Sequence, residues 1–172
     1  MGTRALVVLR SKHLDNYQIY AILYVHLDGY PKGLGKVLYR MLQDMVIVNG
    51  IRFGDTRKVA NGIGCLYAQI IMELKHEVGQ NHLRTNQMMI ELNQERMKLP
   101  EPEVPTMPIY AGGVYLYSVD YPYQEEPEEW NYYLTFDEDS QRLEVEISTG
   151  YAAADEEPFF KGSVTEMKSV VE

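Results

Sequence analysis

The pattern of apolar and polar positions predicts strands near both ends of the chain and helices between them. Residues 5–10 and 18–27 are apolar, β-branched and aromatic, and a polar stretch separates them, which predicts a hairpin with a longer loop. In residues 18–27 apolar side chains occupy both alternating faces. We therefore expect both faces of this part of the sheet to be at least partly covered.

Helical periodicity begins after this hairpin. Residues 36–45 place apolar side chains on one stripe, and residues 63–74 repeat them at i, i+3, i+4 spacing. The second helix is predicted to open at Asn61-Gly62 and to close before Gly79. Residues 46–51 form a short apolar piece, which the turn dipeptide Asn49-Gly50 interrupts.

Residues 80–108 differ in composition from the rest of the chain. Residues 84–98 are polar and rich in Met and Gln, which is compatible with a helix, and residues 99–108 contain four prolines. A stretch so rich in proline is extended and lies outside a core. We interpret 80–108 as an insertion, a protruding helix with a stiff return arm, within a single domain of residues 1–172. Three roles stay open for this insertion: it binds a partner, it forms the contact of a homo-oligomer, or it has no functional role.

Three further strands are predicted at residues 113–119, 130–136 and 142–148, and the tail 159–172 is predicted as a short strand or helix. In the last of these strands Leu143, Val145 and Ile147 alternate with glutamates. The element order ββααβββ predicts an α+β fold, with an antiparallel sheet of about five strands and two helices packed on one face.

Length and composition indicate the class of protein and its cellular compartment. A chain of 172 residues with 45% hydrophobic and 24% charged residues is typical of one globular domain. No apolar run approaches the roughly 20 residues of a membrane span, and the first residues lack the features of a signal peptide. The single cysteine excludes an intramolecular disulfide. We expect a cytoplasmic protein with no membrane partner.

The net charge of −9 is concentrated in one part of the chain. Residues 120–157 hold thirteen acidic residues and one basic residue, Arg142. Phosphates would be repelled there, so direct nucleic-acid binding by this region is not expected. Two interpretations stay open: a solvated acidic surface, or a surface that imitates DNA or binds a basic partner.

Two glycine-rich turns run into the predicted helices. Gly33-Leu34-Gly35-Lys36 precedes the first helix, and Asn61-Gly62-Ile63-Gly64 begins the second. Glycines let the backbone approach an anion, and the N–H groups of a helix start attract it. Neither turn has the spacing of a P-loop or a dinucleotide-binding motif. They are therefore either structural turns or two halves of one anion-binding pocket.

His26 and Asp28 are the candidates for acid/base chemistry, because i, i+2 spacing places both on one side of a strand. The alternative is a hydrogen-bonded structural histidine. No serine-nucleophile motif is present, Cys65 has no signature of a reactive thiol, and His76 and His82 lack a carboxylate at ligand spacing. We therefore predict no catalytic residue, no metal and no cofactor.

Five short blocks occur in a fixed order along the chain. They are Met1-Gly2-Thr3-Arg4, Tyr24-x-His26-x-Asp28-Gly29-Tyr30-Pro31-x-Gly33-x-Gly35, Val48-Asn49-Gly50-Ile51, Ala60-Asn61-Gly62-Ile63-Gly64-Cys65-Leu66 and Gly112-Gly113-Val114-Tyr115-Leu116-Tyr117. This set resembles an uncharacterised family of small bacteriophage and prophage proteins, over roughly residues 1–75 and 110–147. The resemblance implies a viral origin and little about chemistry. The family's glycine block reads Gly-His-Gly, and Leu34 stands in place of that histidine, which weakens an enzymatic interpretation.

Polar residues inside these blocks are predicted ligand-binding residues, because a turn needs glycine and proline but has no use for an arginine or a histidine. They are Thr3, Arg4, His26, Asp28, Tyr30 and Asn61. The two helix starts add Gly33, Gly35, Lys36, Gly62 and Gly64, because backbone N–H groups there would contact an anion. Our first hypothesis is a non-catalytic phage accessory protein that binds a host protein or a small, nucleotide-like anion and so counteracts host defence. A virion component or acidic DNA mimic ranks second, and a hydrolase using His26 and Asp28 ranks third.

Overall fold

A computed structural model describes residues 2–26, 28–50, 57–77, 113–125, 127–150 and 157–172 of the chain. The predicted insertion at 80–108 lies outside the described residues. The elements are β1 (Ala5–His13), β2 (Asn16–Val25), a π-helical turn (Pro31–Gly35), α1 (Lys36–Leu42), β3 (Val46–Val48), β4 (Val59–Asn61), α2 (described over residues 62–77), β5 (Val114–Tyr117), β6 (Trp130–Asp137), β7 (Arg142–Thr149), β8 (Phe160–Ser163) and α3 (Val164–Val171).

The hairpin of β1 and β2 is tighter than the sequence pattern predicted. Its strands extend through polar residues to the pair His13 and Asn16, so the turn contains only Leu14 and Asp15. Leu14 adopts a left-handed conformation with φ 53°. The strands continue beyond the apolar segments because backbone pairing does not require apolar side chains where the hairpin projects into solvent.

The protein has an α+β fold with a mixed six-stranded sheet in the order β5-β2-β1-β6-β7-β8. The expectation of about five antiparallel strands was incomplete, because β1 and β6 pair in parallel and β8 adds a sixth strand. The parallel pair arises because residues 118–129 lead from β5, on one side of the β1–β2 hairpin, to β6 on the other. β3 and β4 form a separate parallel pair.

In the described ranges three helices, α1, α2 and α3, pack on one face of the six-stranded sheet and enclose the main core. The predicted order with two helices was therefore also incomplete. The sheet contributes residues such as Val7, Leu23 and Leu134, which are fully buried. α2 presents the predicted stripe through Leu66, Ile70 and Leu74, each at most 1% exposed. None of the helices in the described ranges is long and apolar enough to cross a bilayer.

The opposite face of the sheet carries a smaller core of Leu6, Val8 and Ile22, which are fully buried. Tyrosines cover most of this core, and several come from β5 and the residues after it. They are Tyr24, Tyr117, Tyr121, Tyr123 and Tyr133. Tyrosine suits such a layer, because its ring packs on apolar residues while its hydroxyl reaches water. Both faces of β2 are therefore covered, as its apolar pattern predicted.

The C-terminal tail forms both β8 and α3, and a capping box joins the two elements. Ser163 Oγ accepts a hydrogen bond from the Glu166 N–H at 3.3 Å, and Glu166 Oε2 accepts one from the Ser163 N–H at 2.7 Å. This reciprocal pairing satisfies two donors at the helix start. It directs Met167 and Val171 into the main core, where each is at most 1% exposed.

Removing this cap should destabilise the protein in a pH-dependent way. Ser163→Ala is expected to lower the free energy of unfolding by about 1 kcal/mol at neutral pH. The hydrogen bond from the Ser163 N–H lowers the pKa of Glu166 in the folded protein. The ionised Glu166 carboxylate therefore stabilises the fold at pH values above the ordinary glutamate pKa, and this stabilisation is lost as pH falls through the folded-state pKa. Melting temperatures of wild type and Glu166→Gln should therefore differ at neutral pH and converge in acid. A constant difference would contradict this role.

Candidate functional site

The first glycine turn is a joint between β2 and α1 that depends on close backbone packing. Asp28 adopts φ 55°, and its carbonyl accepts a hydrogen bond from the Leu34 N–H at 2.8 Å. A Cβ on Gly33 would lie 2.4 Å from that carbonyl oxygen, and one on Gly29 would lie 2.7 Å from the Ala5 Cβ. Gly35 packs against Val171 of α3. Gly29, Gly33 and Gly35 therefore have a structural reason to be glycine.

Two predicted site residues, Arg4 and His26, lie in one cluster at the end of the sheet where β1 begins and β2 ends. Tyr24 lies near both: its hydroxyl lies 2.9 Å from His26 Nδ1, and the positive charge of Arg4 partly offsets the rise in the Tyr24 pKa. Arg4 Nε lies 3.4 Å from Glu128 Oε2 and 3.6 Å from Glu129 Oε1. The guanidinium already has two carboxylate neighbours, so an anionic ligand would have to compete with them.

The electrostatics of this Arg4–Tyr24–His26 cluster follow from burial and charge. Glu128 raises the pKa of Arg4 above its usual value, and burial raises the pKa of Tyr24 and of Tyr117, which stacks on Tyr24 at 5.5 Å. Tyr24 thus stays protonated at neutral pH. His26 is exposed; its ring bonds the Tyr24 hydroxyl, and its backbone N–H donates to the Gly113 carbonyl.

The remaining predicted residues occupy separate positions. Thr3 accepts a hydrogen bond from the Gly29 N–H at 2.9 Å, while Asp28, Tyr30 and Lys36 are exposed around the joint. Asn61 belongs to β4, where its Oδ1 accepts a hydrogen bond from the Gly50 N–H at 2.7 Å and ties the turn after β3 to the start of α2. Asn61 thus lies in the two-stranded sheet, whereas Arg4 and His26 lie at the end of the six-stranded sheet.

Gly62 and Gly64 form the first turn of α2 and have open space around them. Gly62 has φ +74°, and a Cβ on either residue would meet no atom within 4 Å. Cys65 follows them, half-buried, with its Sγ 3.5 Å from Gln69 Nε2. Ligand binding by the eleven predicted residues remains a prediction.

A cleft that the sequence did not indicate lies between α1, β4 and α2, with a volume of about 500 Å³. Its floor is apolar, and its rim is mostly charged. The floor residues are Val37, Met41, Leu42, Met45, Val59 and Ile70. Met72, which is 64% exposed, lies at the rim, and the polar lining residues are Arg40, Arg57, Lys58, Gln69, Glu73 and Glu77. Below, these thirteen residues are called the α1–α2 cleft.

Basic groups hold defined positions at the rim of the α1–α2 cleft. Lys58 Nζ donates a hydrogen bond to the Arg40 carbonyl at 3.0 Å, in the last turn of α1, where a cation is favoured. Arg40 Nη2 lies 3.8 Å from Glu77 Oε2 on α2. The described lining has three basic and two acidic residues, a net charge of +1 in a chain of net charge −9.

The sequence did not indicate the cleft, because most of its lining residues occupy ordinary positions on two amphipathic helices. Met41 and Ile70 belong to the stripes that predicted α1 and α2, and nothing in those stripes distinguishes a cleft from a core. Arg40, Glu73 and Glu77 resemble a solvated helix surface. Only the spacing of the two helices around β4 leaves room between their stripes.

Within the described ranges, no group of three or more His, Cys, Asp or Glu side chains is placed to hold a metal ion. Comparison of the chain with protein-family models, with curated proteins and with solved structures gave no match.

Proposed function

We propose that this protein acts by non-covalent binding of a small ligand that combines an apolar or aromatic body with an anionic group, and that the α1–α2 cleft is the binding site. A nucleotide is the first ligand class to test. The observation that carries this proposal is the cleft itself, which combines an apolar floor with basic residues at its rim.

The size and lining of the cleft support a small ligand. Its volume of about 500 Å³ falls within the roughly 300–1,000 Å³ that is typical of ligand pockets. Met41, Met45 and Met72 supply flexible, polarisable side chains, which adapt to the outline of a bound ring or chain. Met41 and Ile70 are at most 9% exposed, so the floor is preformed by packing.

The charges at the rim support an anionic group on the ligand. Lys58 is exposed, and the Arg40 carbonyl holds its ammonium group at the rim. The Arg40 guanidinium forms an ion pair with Glu77, and this pair is weak because both side chains are partly exposed. An anion entering the cleft would gain contacts with Lys58 and Arg40 while the ion pair to Glu77 rearranged.

The biological setting is part of the same proposal. The resemblance to phage and prophage proteins suggests that the ligand belongs to an infected bacterial cell and that binding it favours the virus, for example by withholding a host signal. In this setting the protein acts in the host cytoplasm. A host protein that inserts an acidic and apolar segment into the cleft is the alternative partner.

Calorimetric titration with a panel of nucleoside mono-, di- and triphosphates tests the proposal. At least one member should bind, and Lys58→Gln should weaken its binding about tenfold, because a charge-assisted hydrogen bond is lost. Glu77→Gln should strengthen binding several-fold, because Arg40 is released from its carboxylate partner. Opposite effects of two rim substitutions are hard to produce by a general folding defect.

Lys32→Gln is the matched control, because it removes the same charge from the π-helical turn outside the cleft lining. It should leave affinity unchanged. Equal weakening by Lys32→Gln and Lys58→Gln would show only general electrostatic attraction. Absence of binding across nucleotides and other aryl or alkyl anions would remove the small-ligand proposal.

A further inference from the structure

Strand β5 forms one edge of the six-stranded sheet within the described part of the chain. Its backbone register decides which groups face outward. The His26 N–H donates to the Gly113 carbonyl at 2.8 Å, so Gly113, Tyr115 and Tyr117 direct their backbone groups toward β2. Val114 and Leu116 therefore direct theirs away from the sheet. This row is called the β5 edge below.

Large apolar side chains are exposed along the β5 edge and in the turn that follows it. Tyr115 is 50% exposed, Leu116 64% and Val119 47%. Three such residues within five positions are unusual for an edge strand, which is normally protected by charge or proline. Exposed aromatic and aliphatic residues beside outward-facing backbone groups, here those of Leu116, are the features of a surface that receives an added strand.

The charge around the β5 edge identifies the kind of partner. Residues 113–137 contain no Lys or Arg, and Asp120 and Glu125 follow β5 closely along the chain. Glu128 and Glu129 are paired with Arg4 and are left out of this charge. A second copy of this chain would bring the same acidic segment to the interface and be repelled. A basic segment would be attracted.

The β5 edge already contacts one ammonium group of this chain, that of Lys75. Lys75 reaches from α2 to donate a hydrogen bond from Nζ to the Val114 carbonyl at 2.8 Å. The same Nζ lies 5.5 Å from the centre of the Tyr115 ring, within range of a cation–π interaction. A lysine of a partner strand would find a second outward carbonyl of this kind at Leu116, next to the Tyr115 ring.

We propose that the β5 edge is a docking site for an extended, basic segment of a partner protein, which adds to the sheet as a seventh strand. Backbone hydrogen bonds to Leu116 supply the pairing, Tyr115 and Leu116 supply apolar contact, and Asp120 and Glu125 select lysine and arginine. This surface is separate from the α1–α2 cleft and does not depend on the ligand proposed there.

A short synthetic peptide in which Lys and Val alternate is the probe, and fluorescence anisotropy measures its binding to the full chain. Leu116→Pro removes the outward N–H without touching the ladder to β2, so it should weaken binding about tenfold. Leu116→Lys places a like charge on the edge and should weaken binding to a similar degree. Hydrogen exchange at the Leu116 amide should slow when the peptide is present.

Two matched controls separate strand addition from plain charge attraction. Leu14→Lys makes the same change at an equally exposed leucine, 64% exposed, in the β1–β2 turn, and it should leave binding unchanged. A peptide of equal charge in which Pro replaces Val lacks alternate donors and should bind about tenfold more weakly. If Leu116→Pro does not fold, as judged by its thermal transition, the test is the comparison of peptide binding between Leu116→Lys and Leu14→Lys.

Three results would overturn the proposal. Unchanged peptide binding in the folded Leu116 variants would exclude the β5 edge. Equal binding of the proline-containing peptide would reduce the effect to charge attraction. A dimer in sedimentation experiments that Leu116→Lys dissociates would assign the edge to a second copy of the chain instead.

Discussion

Gly33→Ala is expected to lower the free energy of unfolding by about 3 kcal/mol, at the upper end of the cost of overpacking. The added Cβ would lie 2.4 Å from the Asp28 carbonyl oxygen and 3.2 Å from the Asp28 Cβ. That carbonyl cannot move freely, because it accepts the hydrogen bond from Leu34 that closes the joint. Chemical denaturation of wild type and variant measures the difference.

Gly64→Ala is the matched control, and it should act in the opposite direction. Its added Cβ would meet nothing within 4 Å, and Gly64 lies in the first turn of α2. Alanine at such a position stabilises a helix by about 0.5–1 kcal/mol. If both variants unfolded at the same denaturant concentration as wild type, the packing explanation for the glycines of the β2–α1 joint would be wrong.

Tyr132→Ala should be the most destabilising of the substitutions considered, at about 4 kcal/mol. Tyr132 is fully buried near the start of β6, and its hydroxyl donates to the Gly29 carbonyl at 2.7 Å. Burial also raises the pKa of this hydroxyl, so it remains a donor over the physiological pH range. The alanine variant loses both the ring packing and the contact that holds the joint against the sheet.

Tyr132→Phe separates these two contributions, because it keeps the ring and removes only the hydroxyl. The Gly29 carbonyl would lose its donor inside the core, which costs about 1–3 kcal/mol. Tyr30→Phe provides a control at an exposed tyrosine of the same joint, 41% exposed, and should change stability little. A phenylalanine variant as stable as wild type would show that the hydroxyl does not hold the joint.

The local elements of this fold could be predicted from the sequence because each has its own periodicity. β7 is an example: Val145 and Ile147 are buried and Glu144 is exposed, as the alternation predicted. α2 likewise begins at the predicted turn after Asn61. These features depend on neighbours along the chain, and such patterns are visible in a single sequence.

The pairing of distant strands could not be predicted in the same way. Arg10 of β1 and Thr135 of β6 are 125 residues apart and form a hydrogen bond across the parallel pair. The connection that leads to this pairing, residues 118–129, contains no regular helix in its described part, so the sequence lacked the usual sign of a parallel crossover. An antiparallel sheet was therefore the natural expectation.

The candidate site was predictable only in part, for a related reason. The structure brings Arg4 and His26 together through Tyr24, a residue that the turn-based argument did not select. Asn61 stays with Gly50 in the two-stranded sheet. The α1–α2 cleft depends on how far apart two helices pack, and a helix stripe looks the same whether it faces a core or a cavity.

The central claim, that the α1–α2 cleft binds a small anionic ligand, can be tested directly by NMR of methionine methyl groups. Met41, Met45 and Met72 line the cleft, whereas Met167 of α3 is fully buried in the main core and serves as an internal control. Titration with a nucleotide that binds should shift the three cleft methyl resonances and leave that of Met167 in place. Saturable binding with all three cleft resonances unchanged would contradict the account.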